Sequence, residues 1–247
     1  METLIKWHGH SAFEITVDGQ NLLLDPWFND NPKSAMKAKD FTKVDLIAIS
    51  HGHSDHFGDT MELMRNTQAK CICSTMISHY LNLRGFPVPE GRNISMAQGG
   101  TVDMGNMRVS MVNAQHACAL FGDEWPQLKQ YTFDGGAVGY VIRTNDDKHS
   151  IYFAGDTDVM MDMQLIERRY HPDVCILPIG GRFTMDVDSV MIALEMLKPK
   201  IMIPMHYNTH GGIPVDEEAF KKSMAEKFPE IKLVMMQPGE TFVLEEA

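Results

Sequence analysis

Short apolar runs broken by polar or glycine-containing turns fill the first half of this chain, and runs of helical period alternate with them in the second. Residues 4–7, 12–17 and 21–24 read as strands, with Asp18-Gly19 as a hairpin turn between the second and third. The third run ends in Asp25-Pro26-Trp27. After a polar loop over 29–40, residues 44–49 form an apolar run interrupted only by Asp45, the pattern of a buried strand. That run delivers Ser50-His51-Gly52-His53-Ser54-Asp55-His56-Phe57-Gly58-Asp59. A helix is expected at once, with Asp59 as its cap, Glu62 three residues on, and Met61, Leu63 and Met64 starting its apolar face. Residues 69–73 read as a strand and 74–84 as a helix stopped by Gly85 and Pro87. Runs at 93–97, 101–104 and 107–112 read as meander strands, the last leading into Asn113-Ala114-Gln115-His116.

From 117 to 136 the pattern lapses, and a loop of that length is read either as a lid or substrate wall or as a plain surface excursion. Residues 137–143 and 150–154 then pair across Asn145-Asp146-Asp147, and the second ends in Gly155-Asp156-Thr157-Asp158. A helix over 161–170, a strand over 174–177, a helix capped by Asp186 and a strand over 201–204 closing at Met205-His206 follow. A last helix starts near Asp216, and strands over 231–235 and 241–244 end the chain. The repeated unit is helix, X-Pro, strand, because the residue before a proline disfavours the helical region. No linker rich in Gly, Pro or Ser interrupts it, so residues 1–247 read as a single domain with two similar halves and no sequence repeat.

Composition narrows the class. A chain of 247 residues with 44% hydrophobic content can bury a sizeable core. Neither a signal peptide nor a membrane-spanning run is visible, so membrane insertion is not expected. A formal net charge of −11 argues against a nucleic-acid partner, whose phosphates are neutralised by Lys and Arg. Cys71, Cys73, Cys118 and Cys175 lack the spacing of a disulfide framework or zinc ribbon, which points to a reducing, cytoplasmic compartment. Cys118 is close to His116 in sequence; the 20 methionines read as adaptable core filler. A homo-oligomer stays open.

The chemistry gathers at strand ends: Asp25, the stretch His51 to His56, His116, Asp156 and His206. His51 and His53 are two apart, so in an extended chain they point the same way and can grip one ion. Asp55 and His56 follow where the chain leaves the strand and can turn towards a second. The plain reading is a histidine-rich surface loop with ordinary turn formers elsewhere. The recurrence of ligand types where α/β proteins place their sites weighs against it.

On these residues the chain resembles the metallo-β-lactamase superfamily over essentially its whole length. More narrowly, Gly9-His10-Ser11-Ala12-Phe13, Leu24-Asp25-Pro26, Leu177-Pro178-Ile179-Gly180 and Pro204-Met205-His206-Tyr207-Asn208 resemble the branch called UPF0173 metal-dependent hydrolases, which is similar to ascorbate-6-phosphate lactonase and N-acylphosphatidylethanolamine phospholipase D. The resemblance implies an α/β fold, a four-layer αββα sandwich of two mixed β-sheets flanked by helices, with a binuclear site between its halves. It implies one ion held by His51, His53 and His116, a second by Asp55, His56 and His206, and Asp156 as the bridge. Asp25 would orient a ligand histidine from behind. His10 and His210, alongside Asp55, are the catalytic candidates, the two histidines for substrate contact or proton donation, with a purely structural role as the plain alternative. A set of His and carboxylate without a soft thiolate points to two divalent ions, Zn or Mn first and Fe or Ni admissible.

Two such ions ~3.5 to 4 Å apart can bind a shared water and bring its pKa down to about 7, giving hydroxide at neutral pH. With two divalent ions, the two carboxylates and that hydroxide, the site carries about one positive charge. A metal-dependent hydrolase acting on a small anionic lactone, ester or phosphodiester is the expectation, with Arg182 and Arg143 as cations that could hold a phosphate or carboxylate. The rivals are a nuclease, disfavoured by the acidity; a β-lactamase, which usually adds a cysteine ligand; a di-iron enzyme, which usually has Glu where this chain has His53; and a non-catalytic metal-binding module.

Overall fold

Alternation along the strands decides how the layers stack. In the computed structural model, which describes residues 1–88, 91–119 and 135–245, Leu22 and Leu24 join the core shared by two sheets, while Leu23 between them faces a separate apolar cluster. Leu46 and Ala48 alternate with Ile47 in the same way, as does Ile72 with Cys71 and Cys73. Strands covered on both faces have no polar side, which is why residues 46–49 show none.

The first sheet holds β1 (Thr3–Gly9), β2 (Ala12–Val17), β3 (Gln20–Leu24), β4 (Leu46–Ala48), β5 (Lys70–Ser74) and β6 (Asn93–Met96). The second holds β7 (Thr101–Asp103), β8 (Met107–Asn113), β9 (Val138–Thr144), β10 (Ser150–Phe153), β11 (Val174–Pro178), β12 (Ile201–Met205) and β13 (Lys232–Leu233). The last strand, β14 (Thr241–Leu244), returns to the first sheet and pairs with β1. The two seven-stranded orders, β14-β1-β2-β3-β4-β5-β6 and β7-β8-β9-β10-β11-β12-β13, are copies in topology. In each the first three pairings are antiparallel and the last three parallel. Both sheets are therefore mixed, as expected.

Helices cover the outer faces. Helices α1 (Ser54–Phe57), α2 (Thr60–Asn66) and α3 (Thr75–Leu83) place Phe57, Met61, Leu63, Met64, Ile77 and Leu81 against the outward residues of the first sheet. Helices α4 (Asp162–Tyr170), α5 (Val187–Leu197) and α6 (Glu217–Lys227) join the larger cluster through Ile166, Leu194 and Phe220. Asp186 caps α5 by accepting from the Ser189 amide at 2.7 Å, and Asp216 caps α6 by accepting from that of Ala219 at 3.0 Å. No helix among the described residues is long and apolar enough to cross a membrane.

Two expectations change. The 93–97 run is not part of a meander: β6 lies parallel to β5 in the first sheet, and only β7 and β8 pair antiparallel in the second. Asp59 precedes α2 but makes no capping bond; its Oδ2 instead accepts from the Phe28 and Asn29 amides at 2.6 and 2.9 Å. Glu62 likewise takes the Asn29 side chain at 2.9 Å, so both acids pin the 26–31 loop over the helix. The 117–136 excursion lies mostly outside the described residues.

The sheets are fastened to each other beside the strand ends that matter. The Val138 amide donates to the Ser50 carbonyl at 3.0 Å, and the His206 amide to the His10 carbonyl at 3.1 Å. Buried Tyr140 on β9 donates its hydroxyl to the Ile49 carbonyl across the interface at 2.8 Å. Tyr140→Phe strands that carbonyl in an apolar interior and is expected to cost about 1–3 kcal/mol. Urea unfolding of the variant beside wild type checks this; an unchanged midpoint would show the bond to be immaterial.

Candidate metal centre

The carboxyl ends of β1, β3, β4, β10 and β12 and the loop after β8 converge on one edge. From them come His10, Asp25, the His51 to His56 stretch, Asp156, His206 and His116. Four of the residues there that are not glycine, His10, Asp25, His206 and Asn208, have φ of 58°, 45°, 55° and 50°. L-residues in this left-handed region carry strain of order 1–3 kcal/mol each, held by the surrounding structure. Gly155, with φ 63°, needs its missing side chain: a Cβ would lie 2.8 Å from that of Ser50, so this glycine lets the two sheets close at the site.

Among the described residues, three groups have ligand atoms within 4.8 Å of one another: His51, His53 and His116; His10, Asp55, His56 and His206; and His51, His56 and Asp156. In the first, His51 Nε2 is 2.9 Å and His116 Nε2 3.4 Å from His53 Nδ1. In the second, Asp55 Oδ2 lies 3.8 Å from His56 Nε2 and 3.9 Å from His206 Nε2. Asp156 stands between them, its Oδ2 3.3 Å from His56 Nε2, 3.1 Å from His206 Nε2 and 3.8 Å from His116 Nε2. All seven residues expected as ligands are thus brought together, and His10 joins them.

Asp25 works from behind this set. Fully buried, it accepts from the Ser50 amide at 2.7 Å, the Ser50 hydroxyl at 2.6 Å and His56 Nδ1 at 2.7 Å. The Ser50 hydroxyl, already donating to Asp25, accepts from His51 Nδ1 at 2.9 Å. One carboxylate therefore holds the ring hydrogen of two histidines on the rear nitrogen, directly for His56 and through the Ser50 hydroxyl for His51, and leaves both Nε2 atoms facing the centre. Ser50, like Thr157 and Thr209 at the ends of β10 and β12, was not singled out from sequence; adjacency to a ligand is the only signal such hydroxyls give.

The donor chemistry fits a divalent ion. His56 Nε2 and Asp156 Oδ1 are buried and have no hydrogen-bond partner, a costly arrangement that cation coordination relieves. Charges reinforce one another around them. Burial opposes ionisation of Asp156, but His206 and His56 outweigh it and hold the carboxyl well below the usual range. Burial likewise acts against charge on His56, and is outweighed by Asp156, Asp55 and Asp25, which push its pKa well up. Asp55, too, is held low by His56 and His10 against the effect of burial. Burial and then His56 push His51 well down, and burial lowers His116, so these two offer lone pairs.

The remaining candidates divide. His10 is buried with both ring nitrogens engaged, and desolvation brings its pKa down to about 4. His210 is exposed at the rim, its ring 6.4 Å from that of His10, and its Nδ1 accepts from the Gly212 amide. Arg182 flanks the same Gly212, beside exposed Phe183. Arg143 does not reach the site: it lies near the opposite end of β9, stacked on Tyr170. Cys118 donates to the His116 carbonyl at 3.3 Å.

Residues 4–206 match the family described as Beta-lactamase superfamily domain. Over 238 residues the chain is 38% identical to a UPF0173 metal-dependent hydrolase of Methanopyrus kandleri, covering 96% of this chain and 98% of that one. The solved structure of Igni18, a metallo hydrolase from the archaeon Ignicoccus hospitalis, is 33% identical and superposes over the whole of both chains with a TM-score of 0.85. CmlA, a diiron β-hydroxylase from Streptomyces venezuelae, shares the fold at 13% identity, with a TM-score of 0.70 over 98% of this chain and 54% of that one.

Proposed function

This chain belongs to the UPF0173 metal-dependent hydrolases of the β-lactamase superfamily, and we propose that it cleaves small anionic lactones, esters or phosphodiesters at a centre of two divalent ions. His51, His53 and His116 would hold one ion, Asp55, His56 and His206 the other, with Asp156 shared. The observation that carries this is the pair of buried, partnerless atoms, His56 Nε2 and Asp156 Oδ1, inside overlapping ligand groups that share His51 and His56.

Bound there, the ions would supply Lewis acidity and lower the pKa of a water towards about 7. The chain contributes the rest. Asp25 and Ser50 fix the tautomers of His56 and His51, and Asp156 keeps negative charge between the two groups. Imidazoles with lowered pKa, His51 and His116, offer lone pairs at neutral pH. His210 and Arg182, exposed at the rim, are the side chains placed to meet an anionic substrate. The −11 net charge supports a small substrate over a long polyanion. All described strands share in two adjoining layers with a common core, which supports one domain.

The test is hydrolysis of an aryl ester and a bis-aryl phosphodiester before chelation, after it, and after adding back Zn, Mn, Fe or Ni singly. Activity is expected to vanish on chelation and return with at least one metal, with close to two ions per chain in the active protein. Hydrolysis that survives chelation with no bound metal would overturn the reading.

A further inference from the structure

His10 joins the two halves of the centre. It is the first residue of the turn between β1 and β2, with φ 58°, and its carbonyl accepts from the His206 amide at 3.1 Å and from Trp7 Nε1 at 3.0 Å. Its ring is 1% exposed and lies 4.1 Å from the ring of His206. Nε2 is 3.0 Å from Asp55 Oδ2 and Nδ1 is 2.8 Å from Thr209 Oγ1. An ionised carboxylate only accepts, so Nε2 carries the hydrogen and Nδ1 receives that of the Thr209 hydroxyl. This is the shorter of the two contacts of that hydroxyl, the other being 3.4 Å to the Tyr207 carbonyl. Both ring nitrogens are thereby committed to protein, and neither is left for a substrate or a leaving group.

Asp55 needs such a hold. It lies on α1, four residues long and without a side-chain cap, and its own side chain is 32% exposed. We propose that His10 is the positioning residue for the second ion: its ring keeps the Asp55 carboxylate beside His56 and His206, and its carbonyl keeps His206 in place. Two of the three ligands assigned to that ion then depend on His10, while His51, His53 and His116 do not touch it through any bond described. An oxygen already accepting from His10 retains a further lone-pair direction for an ion. Thr209, three residues after His206, sets the tautomer and so ties the loop after β12 to the same carboxylate. This inference rests on the two-ion reading above.

The experiment titrates chelator-stripped protein with Co²⁺, followed by visible absorption and calorimetry, which resolve the two binding steps. His10→Leu removes both ring contacts, Thr209→Val removes the tautomer-setting hydroxyl, and His10→Gln keeps an N–H near the position of Nε2. In His10→Leu the second step is expected to weaken about 10–100-fold with the first unchanged, the usual scale for a residue behind a metal ligand. Thr209→Val is expected to shift the same step in the same direction by less, and His10→Gln to recover most of the affinity. Hydrolysis by the weakened variants should return to the wild-type kcat at high Co²⁺ with KM unchanged. Equal second-step affinities in all variants would overturn the proposal. So would a loss of kcat that persists with both ions bound, because that is the mark of a proton donor. If His10→Leu does not fold, Thr209→Val decides alone, an unchanged second step counting against the proposal. Wild type that takes up fewer than two Co²⁺ ions overturns the two-ion reading itself.

Discussion

Asp156→Ala is expected to lower hydrolysis on the order of 10³-fold or more and to lose at least one of two bound ions, since Lewis-acid stabilisation by an ion supplies several kcal/mol. Asp156 Oδ2 is within 3.8 Å of histidines from both ligand groups, and no other described carboxylate in the set is shared in this way. Two like charges a few ångströms apart repel strongly in a low-dielectric interior, and a carboxylate between them offsets that repulsion. Its removal thus weakens both binding steps, unlike replacement of His10, which is expected to touch one. Asp156→Asn separates charge from shape: it keeps the volume and one oxygen, and is expected to lose activity nearly as far. Elemental analysis and kcat measured on the same preparations check both variants. An Asp156→Ala protein with two ions and wild-type kcat would remove Asp156 from the centre.

The ligand set was legible because each member sits where an apolar run stops. His51 follows 44–49, Asp156 follows 150–154 and His206 follows 201–204, and a run of buried strand must end at a sheet edge. Runs of this kind say little about which sheet a strand joins. The 93–97 run between glycine-bearing turns has the same local pattern whether it pairs with β5 or with β7, and only long-range register puts it with β5. The return of β14 to β1 is hidden for the same reason. Local sequence marks the left-handed backbone at His10, Asp25 and His206 only weakly, because Asp and His are enriched in that conformation but adopt it at few of their positions. Asp59 with Glu62 shows the converse failure: the capping pattern is present, but the amides of Phe28 and Asn29 compete for the same carboxylate and win it. The equivalence of the two sheets adds something no spacing revealed. Asp25 follows β3 and Asp156 follows β10, the same strand of the two topological copies, so one fold position supplies both the rear carboxylate and the shared one.

Asp25→Asn is expected to separate folding from metal binding at that rear carboxylate. In wild type, Oδ1 and Oδ2 together accept three hydrogens, from the Ser50 amide, the Ser50 hydroxyl and His56 Nδ1. An asparagine can keep its oxygen on the Ser50 amide only by turning its NH₂ towards His56 and the hydroxyl, setting donor against donor. His56 relieves that clash by carrying its hydrogen on Nε2 instead, which is the nitrogen that faces the centre. Metal affinity is then expected to fall about 10–100-fold, while stability falls by about 1–3 kcal/mol for one misplaced buried donor. Asp25→Ala is harsher: it leaves buried His56 and Ser50 without their acceptor and is expected to cost about 3–5 kcal/mol in the ion-free chain. Nitrogen NMR of the His56 ring reports the tautomer directly in zinc-loaded protein, and urea unfolding of ion-free protein reports the stability. If Asp25→Asn bound metal as tightly as wild type with His56 still protonated at Nδ1, Asp25 would be a structural acid holding Ser50, and the orientation of His51 and His56 would have to come from the ions themselves.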